Sequence, residues 1–193
     1  MGINFGSDKI KEIYHGSDKI KEVYHGSDLV WKSVFDGVLF DNGYEGVEWE
    51  QGYTNGTSGT HWTLDKSQNA LYARVLNYNE SGGECAWTTK DSIDISGYTN
   101  LKVVLDSAIS ALPNRIRLGV ALSIVKNKSL FPATLGSDFK HYYLFESSSS
   151  NGTDMTVNME LTFQGLCYIS VNAVKRATGS YSGSINVKEL VLT

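Results

Sequence analysis

Gly6-Ser-Asp-Lys-Ile-Lys-Glu-Ile-Tyr-His15 is followed at once by Gly16-Ser-Asp-Lys-Ile-Lys-Glu-Val-Tyr-His25, and Gly26-Ser-Asp-Leu-Val-Trp-Lys-Ser-Val34 opens a third copy before leaving the pattern. So short a period does not suit the helical repeat families, whose units run roughly 33 to 47 residues, or a propeller blade of roughly 40 to 45. It suits one short strand and one tight turn. Gly-Ser between two strand-like runs is a type II′ hairpin signal, because glycine takes a positive φ at the first central position without steric cost. A two-residue loop at Gly16-Ser17 sets His15 opposite Asp18, Ile13 opposite Ile20, Ile10 opposite Val23, Glu12 opposite Lys21 and Lys11 opposite Glu22. Opposite charges and β-branched residues then face each other, pairs that stabilise an antiparallel ladder by about 0.2–1 kcal/mol each. The same loop at Gly6-Ser7 puts Ile3 opposite Ile10, and at Gly26-Ser27 it puts Val23 opposite Val30. Residues 2–34 therefore read as a four-stranded meander crossed by the row Ile3–Ile10–Val23–Val30. An amphipathic helix competes, since Lys-Ile-Lys-Glu-Ile has apolar residues at i and i+3, but Gly-Ser-Asp recurs too often to let it run.

A meander this thin has too little to bury alone, and small sheets need a hydrophobic face covered by something else. Tyr14, Tyr24, Ile13 and Ile20 add apolar surface to the row, more than a monomer usually leaves open. The module is therefore expected to dock onto a partner or onto copies of itself, through Ile3, Ile10, Ile13, Tyr14, Ile20, Val23, Tyr24 and Val30. An array of Gly-Ser-x-x-(Ile/Val)-x-x-(Ile/Val)-Tyr units ending in Leu29-Val-Trp31 resembles the start of tail-associated structural proteins of phages and prophages of Gram-positive bacteria. The resemblance covers roughly the first 35 residues. It implies a globular β domain behind the repeats, other virion proteins as partners, and a homo-oligomer, a trimer first, as in tail fibres.

Length and composition bound the rest. The 193 residues suit a small module, residues 1–35, and one domain with ample core, residues 36–193. A net charge of −4 argues against nucleic acid, which demands clustered Lys and Arg. Nineteen Gly against two Pro, with eleven Tyr, seven Phe and four Trp, is a turn-rich β composition. No basic flank with an apolar run opens the chain and no run of about 18 apolar residues interrupts it, so neither a signal peptide nor a membrane span is expected. The expected location is a virion, reached from the bacterial cytoplasm.

From Phe35 strand-sized runs follow one another, near 38–41, 46–53, 60–64, 68–76, 83–89, 100–108, 114–125, 139–146, 154–163, 166–175 and 184–192. Arg115, Arg117, Gly119, Ala121 and Ser123 alternate with Ile116, Leu118, Val120, Leu122 and Ile124, which predicts a half-buried strand with one polar face. Tyr168, Ser170, Asn172 and Val174 alternate with Cys167, Ile169, Val171 and Ala173 in the same way. So many strands and no long helix predict a β-sandwich, a jelly roll by preference. Leu39-Phe-Asp-Asn-Gly43, Ile93-Asp-Ile-Ser-Gly-Tyr98 with the run to Leu105, and Ile185-Asn-Val-Lys-Glu-Leu-Val-Leu-Thr193 together resemble the carbohydrate-binding and galactose-binding-like jelly-roll modules of glycosidases and phage fibres. That resemblance implies that the first and last strands pair in one sheet. The apolar alternation of Ile185, Val187, Leu190 and Leu192 slips phase around Lys188-Glu189, a bulge signal. Cys85 and Cys167 read as buried thiols, with a cross-strand disulfide as the alternative.

Chemistry is sparse. Gly26-Ser-Asp-Leu29 has the letters of an esterase motif in the wrong order, inside the repeat, and no His-Glu-x-x-His or Cys-x-x-Cys is present. Glu45, Glu48 and Glu50 lie close together, and Glu48 and Glu50 would share one strand face about 7 Å apart, as a glycosidase pair or as a solvated face. Asp41, Asn42 and Glu45 offer oxygen ligands for a structural calcium, the only cofactor in view, or a polar turn. Aromatic residues are the better candidates. Trp49, Tyr53, His61 and Trp62 bracket the loop Gly52–Gly59, and His141-Tyr142-Tyr143 adds a cluster. Sugars stack on aromatic rings while placed polar groups bind their hydroxyls, so carbohydrate contacts are expected from Trp49, Tyr53, His61, Trp62, Tyr142 and Tyr143. The alternative for the tryptophans is the sandwich core. The resulting expectation is a non-enzymatic, virion-associated protein whose jelly roll binds host cell-surface glycan. A carbohydrate-binding accessory module outside any phage, and a ligand-free structural spacer, are the alternatives.

Overall fold

The computed structural model describes residues 37–193 except 60, 67–68, 77–82, 111–114, 131–135 and 146–149; of residues 1–36 it describes the backbone of six short strands. The chain divides into two compact units, Met1–Asp36 and Gly37–Thr193.

In the first unit β1 (Asn4–Phe5) pairs with β2 (Asp8–Lys9), β3 (Ile13–His15) with β4 (Asp18–Ile20) and β5 (Glu22–His25) with β6 (Asp28–Lys32), all antiparallel. Phe5 faces Asp8, His15 faces Asp18, Ile13 faces Ile20 and His25 faces Asp28, so each Gly-Ser pair sits between residues that face each other across a ladder. One expected pair does not form. The register shifts between Val23 and Tyr24, so Val23 faces Trp31 in place of Val30, and Glu22 faces Lys32. The third copy has left the repeat here, and one extra residue in β6 moves a charge pair opposite each other, as a bulge does. Ile3, Ile10 and the cross-strand row through them lie outside the described residues, as do the joints that would make the three ladders one meander.

The second unit is a β-sandwich of jelly-roll type. One sheet runs β10 (Trp62–Asp65), β11 (Leu71–Val75), β19 (Ser182–Leu192), β14 (Asn100–Ser110), β17 (Ser150–Glu160), with β7 (Val38–Asp41) also on β19 and β8 (Tyr44–Glu45) on β7. The other runs β16 (Phe139–Phe145), β15 (Ile116–Ser123), β18 (Leu166–Lys175), β12 (Glu84–Thr89), β9 (Trp49–Gln51), with β13 (Ile93–Asp94) also on β18. No helix occurs among the described residues. Period-2 alternation makes the core: Leu71, Ala73 and Val75, Leu101, Val103 and Leu105, and Ile185 and Val187 from one sheet are buried, as are Ile116, Leu118, Val120 and Leu122, and Cys167, Ile169, Val171 and Ala173 from the other. Cys85 and Cys167 are buried free thiols, both pushed up to about 12 by burial.

The first and last strands of the sandwich pair, Leu190 with Phe40 and Val191 with Val38. The phase slip in β19 is a bulge at Lys188: Val104 faces Glu189 and Leu105 faces Val187, leaving Lys188 without an opposite residue. Ile185 and Val187 before it and Leu190 and Leu192 after it are thereby all buried. Two short strands escaped the sequence reading, β8 and β13, and the run 46–53 forms a ladder only at Trp49–Gln51.

Candidate functional site

The six-stranded sheet has an outer face that the registers lay out in rows. Glu50, Thr88, Ser170, Ala121 and Tyr142 stand opposite one another across five strands. One step along lies the row Ala86, Asn172, Gly119 and Leu144, and a further step gives Glu84, Val174 and Arg117. On the other side Ser123 faces both Tyr168 and Phe139. Side chains of one row share a face because the strand period is 2.

Half of this face is covered. The segment after β15 folds back over it and sets Leu130 against Ala121 and Val174, with Phe139 and Leu144 packed around them. Polar bonds pin this strap to the sheet. The Ser129 hydroxyl and the Leu130 N–H, the latter at 2.7 Å, donate to the two oxygens of the Glu84 carboxylate, and Arg117 Nη1 donates to the Leu130 carbonyl at 2.7 Å. Glu84 is 1% exposed and Arg117 3%. Burial pushes the Glu84 carboxyl up to about 7, against the lowering effect of its two hydrogen bonds and of the Arg117 charge. The alternation of β15 predicted a polar, solvated face. Every residue from Ile116 to Ser123 is instead buried, because the strap closes that face. Gly119 lies in the covered part, where a Cβ would meet the Tyr143 carbonyl oxygen at 2.2 Å.

The other half is open. There Tyr53, Ala86, Thr88, Ser123, Val125, Asn127, Lys128, Tyr168 and Ser170 line a shallow depression. Tyr53 arrives because Gly52 lies close against Thr88 and Ala86, with its amide on the Ala86 carbonyl at 2.8 Å. Two rings thus accompany a floor of small polar side chains. Ser170 accepts from Asn172 Nδ2 at 2.8 Å and donates to the Ala121 carbonyl at 3.4 Å. Thr88 is different: it is buried, yet its hydroxyl has no hydrogen-bond partner, and neither has Asn172 Oδ1 beside it. At the rim Lys126 pairs with Glu50 and Lys128 with Asp138, each at 2.7 Å, and Lys126 lies 5.7 Å from the Tyr168 ring centroid.

The residues proposed from sequence fall in several places. Trp49 is 4% exposed and donates to the Leu39 carbonyl; Trp62 is 7% exposed and donates to the Gly56 carbonyl. Both are core residues with satisfied indoles, so neither supplies a stacking platform, which corrects the sequence reading. His61 accepts from the Thr57 N–H through Nδ1 at 3.0 Å and folds its own loop. His141 and Tyr143 face Leu122 and Val120, on the inner side of β16. His141 Nε2 accepts from the N–H groups of Thr162 and Phe163 at 3.1 and 3.0 Å, and burial holds its pKa below the usual range. Tyr53 stands at the depression, and Tyr142, half exposed, continues the Thr88 row. Tyr168, Thr88 and Ser123 were missed. The signal for Tyr168 and Ser123 was the polar side of the β18 and β15 alternations; nothing local singled out Thr88 on β12.

Glu48 precedes the strand that holds Glu50, and each is in an ion pair, with Lys90 at 2.9 Å and Lys126 at 2.7 Å. In the β7–β8 hairpin Asp41 faces Tyr44 and Glu45 faces Phe40, so the two carboxylates fall on opposite faces of the ribbon. Asn42 donates to Asp41 and Lys66 to Glu45. Among the described residues no group of three or more His, Cys, Asp or Glu is placed to hold a metal ion, and no helix is long and apolar enough to cross a membrane.

No family model and no curated protein matches the chain. Among solved structures it is similar to a variant of a family 29 carbohydrate-binding module, with 14% identity over 81% of this chain and 89% of that one and a TM-score of 0.44. It is similar to TmCBM61, solved with β-1,4-galactotriose, with 9% identity over 75% and 87% and a TM-score of 0.39. It is also similar to the alginate lyase AlgAT5 of polysaccharide lyase family 7, with 12% identity over 76% and 94% and a TM-score of 0.41.

Proposed function

We propose that the jelly roll binds carbohydrate, without cleaving it, on the open half of the outer face of its six-stranded sheet. The observation that carries the reading is the depression itself: Tyr53 and Tyr168 line it together with Thr88, Ser123 and Ser170. Rings that take the apolar faces of a sugar beside small hydroxyls that take its polar edges are the recognition chemistry of glycans. The reading without catalysis is supported by the carboxylates nearby. Glu50 and Glu48 are held by lysines, and Glu84, the one whose pKa is raised toward neutrality, is sealed under the strap. A glycosidase needs an exposed carboxylic acid and a second carboxylate about 5–9.5 Å from it.

The test is a glycan array probed with the full chain and with Tyr53→Ala and Tyr168→Ala. The parent is expected to retain at least one glycan, and each variant to lose it at least tenfold at unchanged folding. Binding that survives loss of both rings would place the ligand elsewhere. The repeat unit gives this domain its setting: we propose that it anchors the chain in a phage tail or fibre. What favours this over a free accessory module is the ladder built from each Gly-Ser copy, a device that supplies sheet edges for pairing with other chains.

A further inference from the structure

We infer that the depression is built for an uncharged saccharide unit, and that the Thr88 hydroxyl is the polar contact that selects it. This rests on the carbohydrate reading above and narrows its substrate class.

Charge comes first. Lys128 is the cation in the lining and Lys126 the one beside Tyr168. Both are already neutralised, by Asp138 and Glu50, and Lys126 also donates to the Lys90 carbonyl at 2.5 Å. A third pair, Lys90 with Glu48, continues the same rim. An incoming uronate or sulfate would have to break an ion pair to gain one, and would then face the released carboxylate. The rim offers no net positive potential to draw it in, and the whole chain carries −4. A neutral ring meets none of these obstacles.

Thr88 comes second. Its side chain is 2% exposed, and its Oγ1 has no partner in the protein. A buried hydroxyl left unpaired is costly; Thr88 lines the depression, and a ligand group that reaches its Oγ1 relieves that cost. The neighbouring Ser170 hydroxyl already gives its proton to the Ala121 carbonyl and accepts from Asn172, so it can only accept once more. Of these two floor hydroxyls, only that of Thr88 has its proton uncommitted. Sites that hydrogen-bond a substrate hydroxyl discriminate strongly, because the wrong ligand leaves the buried group unpaired.

The experiment is affinity electrophoresis of the full chain in gels containing galactan, glucomannan, xylan or hydroxyethyl cellulose, against polygalacturonate or alginate, at physiological salt. At least one neutral polysaccharide is expected to retard the protein, and neither anionic one. Thr88→Val keeps the shape and removes the hydroxyl; it should weaken retardation about tenfold while the melting temperature holds or rises. Retardation by an anionic polymer that Lys128→Gln abolishes would overturn the neutral-ligand inference and leave carbohydrate binding standing. Retardation by no polymer of either kind would overturn both. A Thr88→Val protein bound as tightly as the parent would remove Thr88 from recognition.

Discussion

Glu84 carries a carboxyl that ordinarily titrates at 4.5 into a place where burial pushes it up to about 7. The unfolded chain gives up this proton at the lower value and the folded chain at the higher one. Stability therefore falls as pH rises from about 4.5 to about 7, is level above that, and changes in total by about 3 kcal/mol. Glu84→Gln can still accept from Leu130 and cannot ionise. Denaturant midpoints measured at pH 5 and pH 8 should differ in the parent by an amount absent from the variant; equal slopes in both would mean that this carboxyl is not the group responsible. Thr88 makes the opposite point about burial. An unpaired hydroxyl costs about 1–3 kcal/mol, so the group proposed to read the ligand is one the fold alone would do better without.

At the scale of elements the strap decides the site. Leu130 is fully buried against Ala121 and Val174, and truncating such a residue costs roughly 2–5 kcal/mol. Leu130→Ala should therefore lower the denaturation midpoint substantially. It should also weaken saccharide binding, because Val125, Asn127 and Lys128 of the same segment line the depression. Calorimetry of the folded variant with the retained glycan separates the two effects. Unchanged affinity in a destabilised protein would show that the strap's two halves are independent. The bulge at Lys188 is a second decision made within one element: by leaving one residue unpaired it keeps apolar residues on one face along the whole of β19.

The whole molecule joins a repeat unit to a closed sandwich. The Leu192 amide donates to the Gly37 carbonyl at 2.8 Å and Val38 faces Val191, so the jelly roll's own ladder begins at the boundary. Short ladders bury little, and edges left open pair with other chains unless covered. Self-association through residues 2–34 is accordingly the expected state. Ile10→Lys with Val23→Lys should shift the protein toward monomer in light scattering while circular dichroism keeps its β signal. An intact parent that stays monomeric at high concentration would leave a different protein as the repeat unit's partner.

The sequence by itself determined the all-β class, the Gly-Ser ladders in their register near each loop, the inward rows of β15 and β18 and the bulge at Lys188. These follow from period-2 alternation and turn chemistry, which act over a few residues and are written in them. The outer face was decided only by tertiary structure. Arg117, Gly119 and Ala121 alternate as a solvated side should, yet Leu130 arrives from beyond the strand and buries them. Trp49 and Trp62 carry the composition of a sugar platform, yet lie in the core, because burial depends on what packs opposite and not on residue type. Tyr53 and Tyr168 are 115 positions apart in the chain and meet at one depression because β9, β12 and β18 are neighbours in the sheet. Strand order is a long-range property, fixed by which hydrophobic faces can close together, and no local pattern records it.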